Sequence, residues 1–120
     1  MSPHEIASLL AKAQRSVAAA EGLLKTGDYD FAVSRAYYGM SYMAQALLLT
    51  REVRRAKHSG VLAAFHEHFV RSGVVPDRFF HLLRTGFETR IEGDYGFSVS
   101  KEDAVARLDA AREFVHELKG

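Results

Sequence analysis

An all-α bundle is the fold class this sequence predicts, and three observations carry the prediction. Apolar residues recur at helical spacing through successive segments, Gly, Ser and Pro fall between those segments, and no period-two alternation lasts long enough to build a sheet. The 120 residues are 48% hydrophobic. That is enough for a single domain over 1–120 with its own core and no stapling by metal or disulfide.

The first helix is predicted from Ser2 as N-cap, Pro3 at the first helical position and Glu5 three residues after the cap, the pattern of a capping box. Ile6, Leu9, Leu10, Ala13, Val17, Ala20 and Leu24 then share one face, and Gly27 offers the left-handed stop. A tight connection from Thr26 to Asp28 makes the next helix antiparallel to the first, and this central helix is expected to run to about Val53. It is too apolar for a simple surface helix. Ala32, Ala36 and Gly39 let neighbouring helices approach closely, while Tyr37, Tyr38 and Tyr42 fill the gaps between them. Burial on more than one side implies either a helix surrounded by partners within the monomer or one shared across a dimer interface.

Arg54, Arg55, Ala56, Lys57 and His58 form a basic loop. A third helix is expected over roughly Ser59 to Ser72, with Val61, Leu62, Phe65, Phe69 and Val70 inward and Gly73 as terminator. A fourth begins near Pro76 and carries Phe79, Phe80, Leu82, Leu83, Phe87 and Ile91 before Gly93 and Gly96 break it. After a loop from Asp94 to Ser100, the last helix starts with Ser100 as cap and Asp103 three residues on, with Ala104, Val105, Leu108, Ala111, Val115 and Leu118 inward. The opening helix pair resembles a tetratricopeptide unit, but no second copy follows at a period of ~34 residues, so no solenoid is expected.

Composition narrows the function classes. The chain has no cysteine, which excludes thiolate chemistry, and no signal peptide or membrane-spanning run, so a cytoplasmic protein without membrane contact is expected. Sixteen basic side chains oppose fifteen acidic ones for a net charge of +1. No global field favours nucleic acid, no DNA partner is expected, and any such contact must be local. His66 and His68 lie two apart on a helix and point to different sides, so neither a metal site nor a cofactor is expected.

Two polar sets stand out. In an intact fourth helix, Arg90 and Asp94 lie four apart on one face, so the carboxylate can orient the guanidinium while Tyr95 adds a hydroxyl. Such a set can grip a phosphate; as an isolated surface pair it would contribute only ~0–1 kcal/mol. Arg35 sits in the apolar central helix and shares a face with Tyr38, as Tyr38 does with Tyr42, so polar tips can converge in a groove between helices. A half-buried Arg35 calls for an acidic partner, for which Asp94 is one candidate, whereas Tyr37 is read as a packing residue. His58, beside Arg51, Arg54, Arg55 and Lys57, can act as a general base, contact phosphate or cap the turn.

AVSRAYYGM at Ala32 to Met40, KHSGVLAAFHEHFVRSGVVP at Lys57 to Pro76, and the Arg90-x-x-x-Asp94-Tyr95 element resemble the HEPN superfamily, and in particular its small stand-alone proteins of the UPF0332 type. The likeness covers nearly the whole chain in the same order. It implies an up-and-down four-helix bundle with an additional helix, commonly a homodimer, frequently encoded beside a minimal nucleotidyltransferase as a toxin–antitoxin pair. Many relatives are metal-independent ribonucleases whose signature is Arg, four to six residues, then His. Here Arg90 matches, but Asp94, Tyr95 and Gly96 occupy the stretch where the His would fall. Arg51 and His58 meet that spacing only across a helix end and a loop, and Tyr42 stands where similar proteins often have His.

The expected function is a component of such a system that binds nucleotide or RNA through Arg35, Tyr38, His58, Arg90, Asp94 and Tyr95. The alternatives are a non-catalytic dimerisation module and a weak metal-independent ribonuclease in which His58 or Tyr95 replaces the missing His.

Overall fold

The reversals after α1 and α2 are closed by backbone hydrogen bonds between residues only a few positions apart. The computed structural model describes residues 3–94, 96 and 98–118. Its elements are α1 (Pro3–Lys25), α2 (Tyr29–Leu49), α3 (His58–Phe65), a π-helical turn (His66–Val70), α4 (Asp77–Asp94) and α5 (Lys101–Leu118). No strand occurs among the described residues, and no described helix is long and apolar enough to cross a membrane.

α1 ends as its sequence predicts. Gly27 takes φ +82°, its N–H donates to Leu24 O at 3.2 Å, and Asp28 N–H donates to Leu23 O at 3.0 Å, so the last carbonyls are satisfied as the chain reverses. Ser100 caps α5 by accepting a hydrogen bond from Asp103 N–H at 3.0 Å. Ser2, the expected cap of α1, lies outside the described residues.

α2 is the centre of the bundle and contacts α1, α3, α4 and α5. Ala32, Ala36, Tyr37, Met40, Met43, Ala44 and Leu48 are buried, and the core continues through Val17, Phe65, Leu83, Leu108 and Phe114. A Cβ on Gly39 would meet Val17 Cγ2 at 3.0 Å and the Ala13 carbonyl at 3.3 Å, so the missing side chain sets the approach of α1 to α2. Most of the apolar side chains of α2 are therefore covered within one chain, whereas Phe31 in its first turn is 60% exposed.

Several boundaries differ from the sequence reading. α2 stops at Leu49, not near Val53, because Glu52 takes φ +61° and closes a cap in which Glu52 N–H donates to Leu49 O and Val53 N–H to Leu48 O, both at 3.0 Å. The expected third helix starts at His58 and gives way after Phe65 to the π-helical turn, whose wider ring is closed by Arg71 N–H on His66 O at 2.7 Å. Gly93 does not break α4. The helix continues to Asp94, and a Cβ on Gly93 would lie 3.6 Å from both Asp30 Cβ and Val99 Cγ2, an ordinary packing distance. Val105, expected to face inward, is exposed.

Candidate functional site

The continuation of α4 through Gly93 keeps Asp94 on the same face as Arg90, and α2 lies beneath that face. Arg90 Nη1 lies 3.3 Å from Asp94 Oδ2 and donates to the Tyr38 hydroxyl oxygen, also at 3.3 Å. Both contacts are long for a charge-assisted bond. The Arg90 side chain is only 17% exposed and that of Asp94 50%. Its guanidinium carbon lies 5.6 Å from the Tyr37 ring centre, 5.8 Å from that of Tyr38 and 6.0 Å from that of Phe87, and Nε is buried without a hydrogen-bond partner. Aromatic faces thus hold the guanidinium at least as much as the carboxylate does.

His58 joins this cluster from the first position of α3. Its ring meets Tyr37 and Tyr38 edge-on, with centroids 5.3 Å apart in both cases. Partial burial holds its pKa below the ordinary 6.5, and the positive charge of Arg90 acts in the same direction. The imidazole is therefore neutral near pH 7, with a lone pair free to accept a proton. Burial raises the Tyr37 hydroxyl pKa, against the lowering effects of a Ser41 hydrogen bond and Arg90, so this group keeps its proton.

Arg35 enters from the other side of the sequence pattern. Its guanidinium carbon sits 4.4 Å from the Tyr38 ring centre, and Tyr42 lies next in line, 6.0 Å from Tyr38. Asp94 is not its partner: that carboxylate pairs with Arg90, and no carboxylate lies within ion-pair distance of Arg35 among the described residues. A half-buried position on the Tyr38 ring makes an acidic partner unnecessary, because the ring face attracts the cation and part of it stays in water.

Of the residues singled out from the sequence, Arg35, Tyr38, His58, Arg90 and Asp94 come together; Tyr95 lies outside the described residues. The basic loop disperses instead. Arg54 bridges Glu5 at 2.8 Å, while Arg51 donates to the His68 carbonyl and covers the Phe69 ring at 4.4 Å, away from any pairing with His58. Two supports were not anticipated: Phe87 beside Arg90, read only as core, and Tyr37 as the wall that seats His58. An aromatic one turn before Arg90 was the available signal for the first. Nothing local signalled the second, since His58 is 21 positions from Tyr37.

The assembled groups are a fixed guanidinium, a neutral imidazole and a tyrosine hydroxyl. This set can donate to a phosphate, accept a proton from a hydroxyl, and balance charge developing on a phosphoryl oxygen.

Comparison with known proteins agrees with this architecture. The HEPN domain profile matches residues 6–120. A Methanocaldococcus jannaschii protein named as a candidate toxin is 37% identical over 96% of this chain and 80% of its own length. A Thermotoga maritima UPF0332 protein is 39% identical over 81% of this chain and 80% of its own length. The crystal structure of TT1696 from Thermus thermophilus superposes with a TM-score of 0.80 over 95% of both chains at 20% identity, a likeness of fold. With a family profile spanning all but the first five residues and relatives of this similarity, the chain belongs to the HEPN family.

Proposed function

We propose that this protein is the HEPN component of a cytoplasmic toxin–antitoxin pair, acting as a homodimer beside a minimal nucleotidyltransferase and binding nucleotide or RNA at the Arg90 cluster. The observation that carries the reading is the convergence of Arg90, the Tyr38 hydroxyl and a neutral His58 from three different helices. The candidate-toxin names of two relatives support the system-level part. In this reading Arg90 contacts phosphate, Asp94 orients it, and Tyr38 carries the second hydrogen bond. Although the sequence lacks a His at the signature spacing, His58 supplies an imidazole beside Arg90 through space, which favours the ribonuclease alternative over one based on Tyr95.

The test is a titration with uridine 5′-monophosphate and with a fluorescent ribo-oligonucleotide, in chelator, alongside gel analysis of the oligonucleotide. Arg90→Lys keeps charge and stem but loses the planar fork, and weakens binding about tenfold or more, the scale of a charged hydrogen bond. Loss of cleavage in His58→Gln with retained binding marks an enzyme. Saturable binding that Arg90→Lys leaves unchanged rejects the site. Light scattering at micromolar concentration checks the dimer, and a monomer across that range rejects it.

A second reading is favoured by the low exposure of Arg90 and by the commitment of its Nη1 to Asp94 and Tyr38. In that reading the same residues clamp α4 onto α2, and the protein is an interaction module.

A further inference from the structure

Among the described lysines and arginines only four reach a carboxylate, and what distinguishes three of the others is that they gather at one place. Arg54, Arg78, Arg90 and Arg112 each reach a carboxylate. Lys12, Arg15 and Arg35 reach none among the described residues, and all three line one groove between α1 and α2, with Ser16 and Tyr42. No carboxylate lines that groove, which has a volume of ≈ 450 Å³. With a net charge of only +1, three cations around one concavity lined by no carboxylate make a local positive field.

We infer that this groove is a second phosphate subsite, continuous with the Arg90 cluster, and that it takes the sugar–phosphate backbone of a single-stranded polynucleotide. Continuity comes through Tyr38. The Arg35 guanidinium lies 4.4 Å from its ring centre and the Arg90 guanidinium 5.8 Å from the same centre, so one ligand can engage both. Beyond Arg35 the line continues over Tyr42, which Lys12 Nζ overlies at 5.4 Å. Cations alternating with aromatic rings along a track are what a flexible strand with charged phosphates and π-faced bases requires. The aromatic rings between the cations favour a strand with bases to stack over the acidic face of a folded protein, which matches the charge alone. Lys12 and Arg15 occupy successive turns on the exposed side of α1, so they serve no core contact. The inference rests on the nucleotide- or RNA-binding reading of the Arg90 cluster and extends it from one phosphate to a strand.

The experiment measures a fluorescent ten-residue oligouridylate and uridine 5′-monophosphate against the parent protein, Lys12→Ala/Arg15→Ala and Lys12→Glu/Arg15→Glu, each checked by melting, from 50 to 300 mM salt. The groove variants bind the oligonucleotide at least tenfold more weakly, with the charge reversal worse than the alanines. Their log K against log salt slope falls by about 1.4, the loss of two single-strand phosphate contacts. Monophosphate binding stays within twofold, because the Arg90 cluster is untouched. Equal oligonucleotide affinity and slope in parent and variants overturns the subsite, as does a parent that does not bind the oligonucleotide at 50 mM salt. Displacement of the oligonucleotide by polyglutamate of matched charge at equal concentration overturns the polynucleotide and identifies an acidic protein surface. Sensitivity to the groove variants together with indifference to Arg90→Lys retains the subsite and removes the Arg90 reading, so the two fail separately.

Discussion

Arg90→Ala is expected to destabilise the fold far more than Asp94→Ala, although the two side chains form an ion pair. The alanine removes a guanidinium that is 17% exposed and lies within 6.0 Å of three aromatic ring centres. Cation–aromatic attraction at a partly desolvated site contributes about 1–2 kcal/mol. The hydrogen bond to Tyr38 adds about 0.5–1 kcal/mol at its 3.3 Å length. Against this, the unpartnered Nε no longer has to be buried, which offsets part of the loss. A net cost of about 2 kcal/mol follows, or roughly 8 °C in Tm for a domain of this size. Asp94 is half exposed, and an i,i+4 pair of that kind contributes about 0.3–0.5 kcal/mol; its place at the C-terminus of α4 opposes the helix dipole and reduces even that. Chemical denaturation of both single variants and the double variant measures the difference, with a coupling energy near or below 0.5 kcal/mol expected. Equal losses in the two single variants, coupled by nearly the whole of either, would show that Asp94 rather than the aromatic bed holds Arg90.

Glu52→Gly should stabilise by about 0.5–1 kcal/mol, since left-handed φ costs an L-residue roughly 1–2 kcal/mol and glycine returns about half of that as unfolded-state entropy; a midpoint shift in urea is the measurement, and a loss of stability counts against the cap. His58 has a folded pKa below its unfolded value of 6.5, so the unfolded chain binds more protons in between. Stability is then full above about pH 6.5 and declines as pH falls through the lower folded pKa. His58→Gln should flatten that decline relative to the parent, and an identical pH profile in the two would refute the assignment. Ala36→Glu should abolish folding, as Ala36 is 1% exposed against the aromatic core and an unpaired carboxylate there loses its hydration with nothing in return; circular dichroism with native helix content would contradict it.

The helices were legible where punctuation was chemical. Gly27 and Ser100 act through groups the sequence displays, a missing Cβ and a hydroxyl, so the stop of α1 and the start of α5 could be placed. The end of α2 could not be, because the left-handed residue there is Glu52, whose side chain advertises no such conformation. The π-helical turn escaped for a related reason. Phe65 and Phe69 fit α-helical spacing, and the extra residue per turn is visible only in the backbone bonds. For the site, Arg90 with Asp94 was readable because a helix fixes their relation. The seat of Arg35 on Tyr38 was readable in the same way, whereas the meeting of His58 with Tyr37 and Tyr38 depends on how α3 and α2 cross, which no local pattern records. Lys12 and Arg15 carry no signal in the sequence, because the outer face of an amphipathic helix is expected to carry charge, and only the groove they share with Arg35 and Tyr42 sets them apart.

The reversals at Gly27, Glu52 and Gly73 have a kinetic consequence. Because each is closed by bonds between residues only a few positions apart, the α1–α2 hairpin can form with little loop-closure entropy to overcome, and it already contains Ala13, Val17, Ala36 and Met40 of the core. α5 contacts both of these helices from the far end of the chain, so its docking closes the longest loop and is expected to come last. Folding in microseconds to milliseconds is the scale for such local topology. Substitutions at Leu108 or Phe114 should then accelerate unfolding while leaving the folding rate nearly constant, whereas those at Val17 or Met40 should slow folding itself.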